Sequence, residues 1–178
     1  MKELSLHILD LIQNSIEANA KNIFLEIKEN DNEIMIRIKD DGKGIPKEIL
    51  EDIKSPFTTT RKTRRIGLGI SLFNEIITNC GGELQIMSEP GKGTEIIALL
   101  PSFHWDLPPW GDIVGTIYSI IATSPHIDFH IKIFLRGKNF EFSTKDIKKE
   151  INGLPINHPE VLSFIHNYLK ENLGGVDS

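Results

Sequence analysis

The chain has 178 residues, 39% of them hydrophobic and 25% charged, which is enough apolar material for a core and far from the composition of a disordered chain. That length suits one domain of about 100 residues with a smaller second unit and excludes a large multi-domain machine. The net charge of -5, from 20 Lys and Arg against 25 Asp and Glu, provides no basic excess for gripping a phosphate backbone, so nucleic acid is not an expected partner. The single cysteine, Cys80, excludes an intrachain disulfide and a cysteine-rich zinc site, suits a reducing compartment, and reads as a small buried hydrophobe. No run approaches the ~20 apolar residues of a membrane helix. Lys2, Glu3 and Asp10 interrupt any apolar signal segment at the start, so a cytoplasmic protein without membrane contact is expected.

From Glu3 to Ala18, Leu4, Ile8, Leu11, Ile12 and Ile16 recur at helical spacing and predict a helix with one stripe toward a core. Asp10, Asn14 and Glu17 share another face of it. That face is a candidate metal or proton-handling edge, although read alone it favours a solvated helix face. Ile23, Leu25 and Ile27, then Ile34, Ile36 and Ile38, alternate on either side of Asn30-Asp31-Asn32 and predict a hairpin with one buried face. Asp40-Asp41-Gly42-Lys43-Gly44 breaks the second strand, and Pro46 to Ile53 predicts a short helix. Lys54 to Arg65 carries Lys54, Arg61, Lys62, Arg64 and Arg65 with Thr58, Thr59 and Thr60, and is read as a mobile cationic loop.

Gly67-Leu68-Gly69 opens the next helical stretch as a glycine-rich turn, and Gly81-Gly82 ends it. A second hairpin turns at Pro90-Gly91-Lys92-Gly93, with Leu84 and Ile86 on one arm and Ile96, Ala98 and Leu100 on the other. The Pro- and Trp-rich stretch 101–111 marks a boundary or a packed connector, with Trp105 and Trp110 read as core anchors. Beyond it a helix near Ile113 to Ala122, a hairpin from Ile127 to Phe142, a short helix after Thr144 and a helix opened by Pro159 are predicted. His126, Asp128 and His130 lie close in sequence, but alternation puts Asp128 and His130 on the polar face of a strand, which favours a surface over a metal site.

Four signatures carry chemistry. Asn14 has an amide oxygen suited to Mg2+, and Asp10 one turn earlier is a carboxylate able to polarise a water or hydroxyl. Asp41, with Gly42 and Gly44, offers an acceptor for an exocyclic amine and a backbone that a flat ring can approach. Gly67 and Gly69 at a helix start present amide groups and a positive dipole to phosphate oxygens. Gly91-Lys92-Gly93-Thr94 sets a hydroxyl just inside a strand. A P-loop motif is absent, and Gly67 follows a loop where a dinucleotide fingerprint needs a strand.

In this order the signatures resemble the ATP-binding domain of the GHKL superfamily (gyrase, histidine kinases, anti-sigma serine kinases and DNA mismatch-repair ATPases), over roughly residues 3 to 101. The N box corresponds to Asp10 through Ala18. The first glycine box is Asp41-Gly42-Lys43-Gly44-Ile45, and the phenylalanine box Ser55-Pro56-Phe57-Thr58-Thr59-Thr60. The second glycine box is Gly67-Leu68-Gly69-Ile70 and the third Gly91-Lys92-Gly93-Thr94. The resemblance implies a two-layer α/β sandwich of the Bergerat type, classed α+β. It implies Asn14 on Mg2+, Asp10 as general base and Asp41 on the adenine amine. Gly42, Gly44, Ile45, Phe57, Thr59, Gly67, Leu68, Gly69 and Thr94 would surround ATP, and Arg61 and Lys62 would close a lid over its phosphates.

Asp10 stands where the hydrolysing members usually carry Glu, one methylene longer, and Asn14-Ser15-Ile16-Glu17-Ala18 is similar to the mismatch-repair and anti-sigma kinase versions of the box. Ahead of this helix no helix pair with a phosphoacceptor histidine is expected, and His7 is read as a packing or surface residue. The expected organisation is an ATP-binding domain at 1–101 and a C-terminal α+β extension at 102–178. The expected activity is that of a kinase or ATPase acting on a protein partner in signal transduction. A nucleotide-gated conformational or dimerisation switch is the alternative.

Overall fold

In the computed structural model, which describes residues 3–54 and 65–176, period-two alternation builds three hairpins. The first joins β1 (Asn22–Glu29) to β2 (Glu33–Asp40). Its turn is closed by the Asn30 side chain, whose Oδ1 accepts from the amides of Asn32 and Glu33 at 2.9 and 2.8 Å, a local bond that favours Asn in turns. The second joins β3 (Glu83–Glu89) to β4 (Gly93–Pro101), and the third β5 (Asp128–Leu135) to β6 (Lys138–Ser143). Arg136 and Gly137 turn the third hairpin with φ of 52° and 77°, the left-handed pair that matches the twist of the flanking strands.

These strands form one sheet in the order β3-β4-β2-β1-β5-β6. Every neighbouring pair is antiparallel except β1 and β5, which run parallel with Asn22 opposite Asp128. The segment beyond residue 102 thus adds two strands to the sheet that the first hundred residues begin.

One face of the sheet is apolar: Ile23, Leu25, Ile27, Ile34, Ile36, Ile38, Ile96, Ala98, Leu100, Ile131 and Ile133 are all buried. Over it lie α1 (Leu4–Glu17), α2 (Lys47–Lys54), α3 (Arg65–Asn79), α4 (Ile113–Thr123) and α6 (Pro159–Leu173). Neighbour contacts run α2 to α3 to α1 to α4 to α6, and α5 (Thr144–Glu150) packs on β5. The arrangement is the two-layer α+β sandwich expected from the sequence. On the opposite face Arg37 pairs with Glu95 at 2.6 Å and reaches Glu26 at 3.7 Å.

The connector between β4 and α4 is packed at one end and open at the other. The carbonyls of Pro109 and Trp110 accept from the amides of Leu4 and Ser5, each at 2.9 Å, which satisfies donors that the first turn of a helix leaves free. Trp110 is buried, but Trp105 is 98% exposed, so the expectation that both tryptophans anchor the core holds for Trp110 alone. Trp105 lies in a turn outside the strands and helices, where its ring stays in solvent. Cys80 is fully buried; burial, and then the charge of Asp106, raise its thiol above the ordinary range.

Two outcomes follow. Ile27, in the central strand β1 and without exposed surface, leaves a cavity when truncated, so Ile27→Ala loses about 2–5 kcal/mol in a chemical denaturation curve. Cys80 reacts with an alkylating reagent only when denaturant is added, as mass spectrometry of the folded and unfolded protein would show.

Candidate functional site

The alternation of β2 does not stop at its hydrophobic residues. Ile34, Ile36 and Ile38 face the core, and two residues further on Asp40 carries a carboxylate onto the same face, 8% exposed. A buried carboxylate needs donors, and three elements supply them. Ser15 of α1 donates from Oγ to Oδ2 at 2.5 Å. The amide of Gly42 donates to Oδ1 at 2.9 Å and that of Thr94, at the start of β4, at 3.3 Å.

The glycines around Asp40 permit this convergence. A Cβ on Gly42 would stand 2.8 Å from the carbonyl oxygen and 2.9 Å from the Cβ of Ala18, where the Lys43 amide bonds that same carbonyl at 2.9 Å. Gly93, with φ of 107°, presses on the carbonyl oxygen of Asp40 where a Cβ would collide. Gly44 has φ of 78° and lies against the backbone of Glu89, and the Gly91 amide bonds the Lys43 carbonyl at 2.8 Å. The hydroxyl of Ser88 accepts from the Ile45 amide at 2.8 Å and meets Thr94 Oγ1 at 2.8 Å. Ile45 is buried. The first and third glycine signatures therefore form one locked corner.

Asp41 is placed elsewhere. Its Oδ1 accepts from the amides of Lys21 and Asn22 at 2.8 and 2.9 Å, and its Oδ2 from Asn22 Nδ2 at 2.9 Å, all at an exposed site. Partial burial pushes this carboxyl upward, but the Asn22 side chain and the Asn22 and Lys21 amides outweigh it and hold Asp41 below the usual aspartate range. Asp41 thus fastens the start of β1. The carboxylate that enters the corner is Asp40, one residue before the Asp41 singled out in the sequence. The signal was present in the sequence, since Asp40 has the parity of Ile34, Ile36 and Ile38 whereas Asp41 has that of the exposed residues.

On α1, Asp10 is exposed and Asn14 half-buried one turn later, with Glu17 exposed beyond. Asn14 Nδ2 is buried and has no hydrogen-bond partner among the described residues. A Cβ on Gly69 would lie 3.6 Å from that nitrogen, so the helix of the N box and that of the second glycine box meet at Asn14. Gly67, Leu68 and Gly69 lie within the first two turns of α3, which begins at Arg65, rather than in a turn ahead of it. Leu68 is exposed. The amides of the first turn, from Arg65 to Leu68, have no partner within an α-helix. Phe57, Thr59, Arg61 and Lys62, with the phenylalanine box and the cationic stretch between Lys54, the end of α2, and Arg65, the start of α3, lie outside the described residues. His7 is buried and stacks on Phe73 with ring centroids 5.9 Å apart.

A surface hollow of ≈ 350 Å³ opens beside the corner, lined by Lys39, Asp40, Met87 to Glu89 and Lys92 to Glu95. Lys39, Glu95 and Met87 are cross-strand neighbours on the face away from the helices, so this hollow is distinct from the junction of α1 and α3. His130 bonds Glu141 at 2.8 Å and Asp128 pairs with Lys148 at 2.8 Å. Among the described residues no three His, Cys, Asp or Glu gather as a metal site, and no helix is long and apolar enough to cross a membrane.

A buried acceptor at a strand end, an amide side chain facing a glycine-bearing helix start and two glycine turns locked together thus gather at one end of an α/β sandwich. Residues 2–104 match the family described as histidine kinase-, DNA gyrase B- and HSP90-like ATPases. The chain belongs to that family, and this part of it is an ATP-binding domain. It is 36% identical to sporulation kinase C of Bacillus subtilis over 95 residues, covering 52% of this chain and 22% of that protein. It is 38% identical to sporulation kinase E of the same organism over 96 residues, covering 52% and 13%. With the sensor histidine kinase ZraS of Escherichia coli it shares 33% over 96 residues, covering 53% and 20%. The similarity thus spans about half of this chain and less than a quarter of each of these kinases.

Because the folded Asp41 carboxyl titrates below its unfolded value of about 3.9, its bonds stabilise the fold above that value. The contribution is lost as pH falls through the folded value. Asp41→Asn therefore lowers Tm by about 1–3 °C at neutral pH, a small effect for an exposed group. In thermal melts from pH 7 to pH 2 the gap to wild type closes in the acid range.

Proposed function

We propose that the chain binds ATP with Mg2+ where α1, the loop after β2 and the start of α3 meet, and transfers the γ-phosphoryl group to a protein partner. The observation that carries this is Asn14. Its buried amide beside Gly69 has no hydrogen-bond partner among the described residues, and a ligand group would complete it, since burying a donor without an acceptor is unfavourable. The donor set fits: Asn14 Oδ1 would hold Mg2+ while Nδ2 donates to a phosphate oxygen. Bound Mg2+ supplies charge neutralisation for the triphosphate.

In this reading Asp40 accepts from the 6-amino group of adenine, and Gly42, Gly44 and Ile45 shape the floor beneath the ring. Thr94 holds Asp40 through its amide. Among the second glycine signature the Gly67 and Leu68 amides face the phosphates, Gly69 lets α3 approach Asn14, and Phe57, Thr59, Arg61 and Lys62 complete the cover. Asp10, one helical turn from Asn14, accepts the proton of the attacking hydroxyl or water as its oxygen bonds to the γ-phosphorus and the bond to the ADP oxygen breaks. Residues 1–101 carry this chemistry, and residues 102–178 form the unit that meets the partner, either a phosphoacceptor or a second copy. A cytoplasmic signalling role suits this assignment.

Titration calorimetry with Mg-ATP beside a phosphate-release and phosphoryl-transfer assay tests it. Asp10→Asn keeps binding and loses about 100-fold or more in turnover. Asn14→Ala loses the Mg2+-dependent part of the affinity. Asp40→Asn weakens ATP by about tenfold or more, whereas Asp41→Asn leaves binding unchanged. Binding without turnover in the wild type would replace the kinase with an ATP-gated switch, and absence of binding would overturn both.

A further inference from the structure

Asp40 is more fully specified than recognition of an amine requires. A carboxylate offers about four acceptor positions. Two on Oδ1 are taken by the amides of Gly42 and Thr94, at 2.9 and 3.3 Å, and one on Oδ2 by the Ser15 hydroxyl at 2.5 Å. All three are donors, so the carboxylate only accepts and one position on Oδ2 remains. Ser15 is 4% exposed. It follows Asn14 directly on α1, so the helix that presents Asn14 toward α3 turns the next side chain toward the end of β2.

We infer that Ser15 is a positioning residue which sets the base specificity of the site: its hydroxyl fixes the plane of the Asp40 carboxylate and leaves Oδ2 one acceptor position, which a purine bearing a 6-amino group fills and a 6-oxo purine cannot. This rests on the reading of Asp40 as the base-recognising group. The two amides hold only Oδ1. Without the hydroxyl, Oδ2 has two open positions, water takes one, and the carboxylate is free to turn about its Cβ–Cγ bond. A donor on the base then meets a solvated, less directed acceptor. With the hydroxyl in place, a 6-oxo group would set acceptor against acceptor and leave a buried position unfilled, the kind of mismatch that gives a binding site its largest discrimination.

The test uses the full chain and calorimetric Kd values for ATP, for purine riboside triphosphate, which lacks the 6-amino group, and for inosine triphosphate. Wild type prefers ATP over purine riboside triphosphate by about tenfold or more, and inosine triphosphate binds weakest. In Ser15→Ala the ATP preference falls to about twofold because ATP binding weakens while purine riboside triphosphate is unaffected, and Ser15→Thr, which keeps the hydroxyl, restores it. Equal losses for ATP and purine riboside triphosphate in Ser15→Ala would mean that Ser15 serves only to pack the helix, and would overturn the inference. If Asp40→Asn removes the preference while Ser15→Ala keeps it, this inference fails and the reading of Asp40 stands. If wild type binds ATP and purine riboside triphosphate alike, the reading of Asp40 fails and takes the inference with it.

Discussion

The carboxylate of Asp40 is the constraint around which the site is arranged. It sits at the end of a core-facing row of isoleucines, where an acceptor without donors is unfavourable by some kcal/mol. Satisfying it requires α1 to present Ser15, the chain after β2 to turn back through Gly42, and β4 to begin with its Thr94 amide in reach. Each requirement fixes a neighbour. Gly42 must lack a side chain because Ala18 lies against it, and Gly93 must lack one because Asp40's own carbonyl does. The first and third glycine signatures, which look independent in the sequence, therefore answer one buried carboxylate.

The helix layer transmits that constraint to Asn14. Ser15 is bonded to the sheet and Asn14 faces the start of α3, so α1 acts as a fixed bar between the two. At its other end the bar is held by the carbonyls of Pro109 and Trp110, from the connector that precedes α4. The additional strands β5 and β6 extend the sheet on the side away from the corner, with β5 parallel to β1. The region beyond residue 102 therefore supports α1 from behind without adding a side chain to the corner that Asp40 organises.

The open face of the sheet solves a different problem. Glu26 on this face is buried, screened by Arg37, whose guanidinium also contacts Glu95 and lies 5.5 Å from the centre of the Phe24 ring. Phe24 in turn meets His130 edge-on. Cross-strand pairs of this kind stabilise a sheet face that water can reach, and they leave the apolar residues of the strands to the helix side.

Much of this was legible in the residues themselves. Hairpins declared themselves by alternation, α1 by the spacing of Leu4, Ile8, Leu11 and Ile12, and the order of the boxes by their glycines, because local backbone preferences and one-sided burial act over a few residues. Strand order was not legible: nothing local makes Asn22 pair with Asp128 across a hundred residues, and only the competition of whole faces for burial decides it. Trp105 was misread for the same reason, since composition identifies an apolar side chain but not whether a layer remains to cover it. The choice between Asp40 and Asp41 lay between these cases. Two adjacent aspartates have the same chemistry, and strand parity already distinguished them, but the surroundings of each were decided when Ser15, Gly42 and Thr94 closed on one carboxylate and Lys21 and Asn22 on the other. The sequence by itself determined the elements and the inventory of groups able to bind a nucleotide; the tertiary structure decided which of those groups is buried with its donors, because desolvation depends on what packs around a side chain and not on its neighbours in the chain.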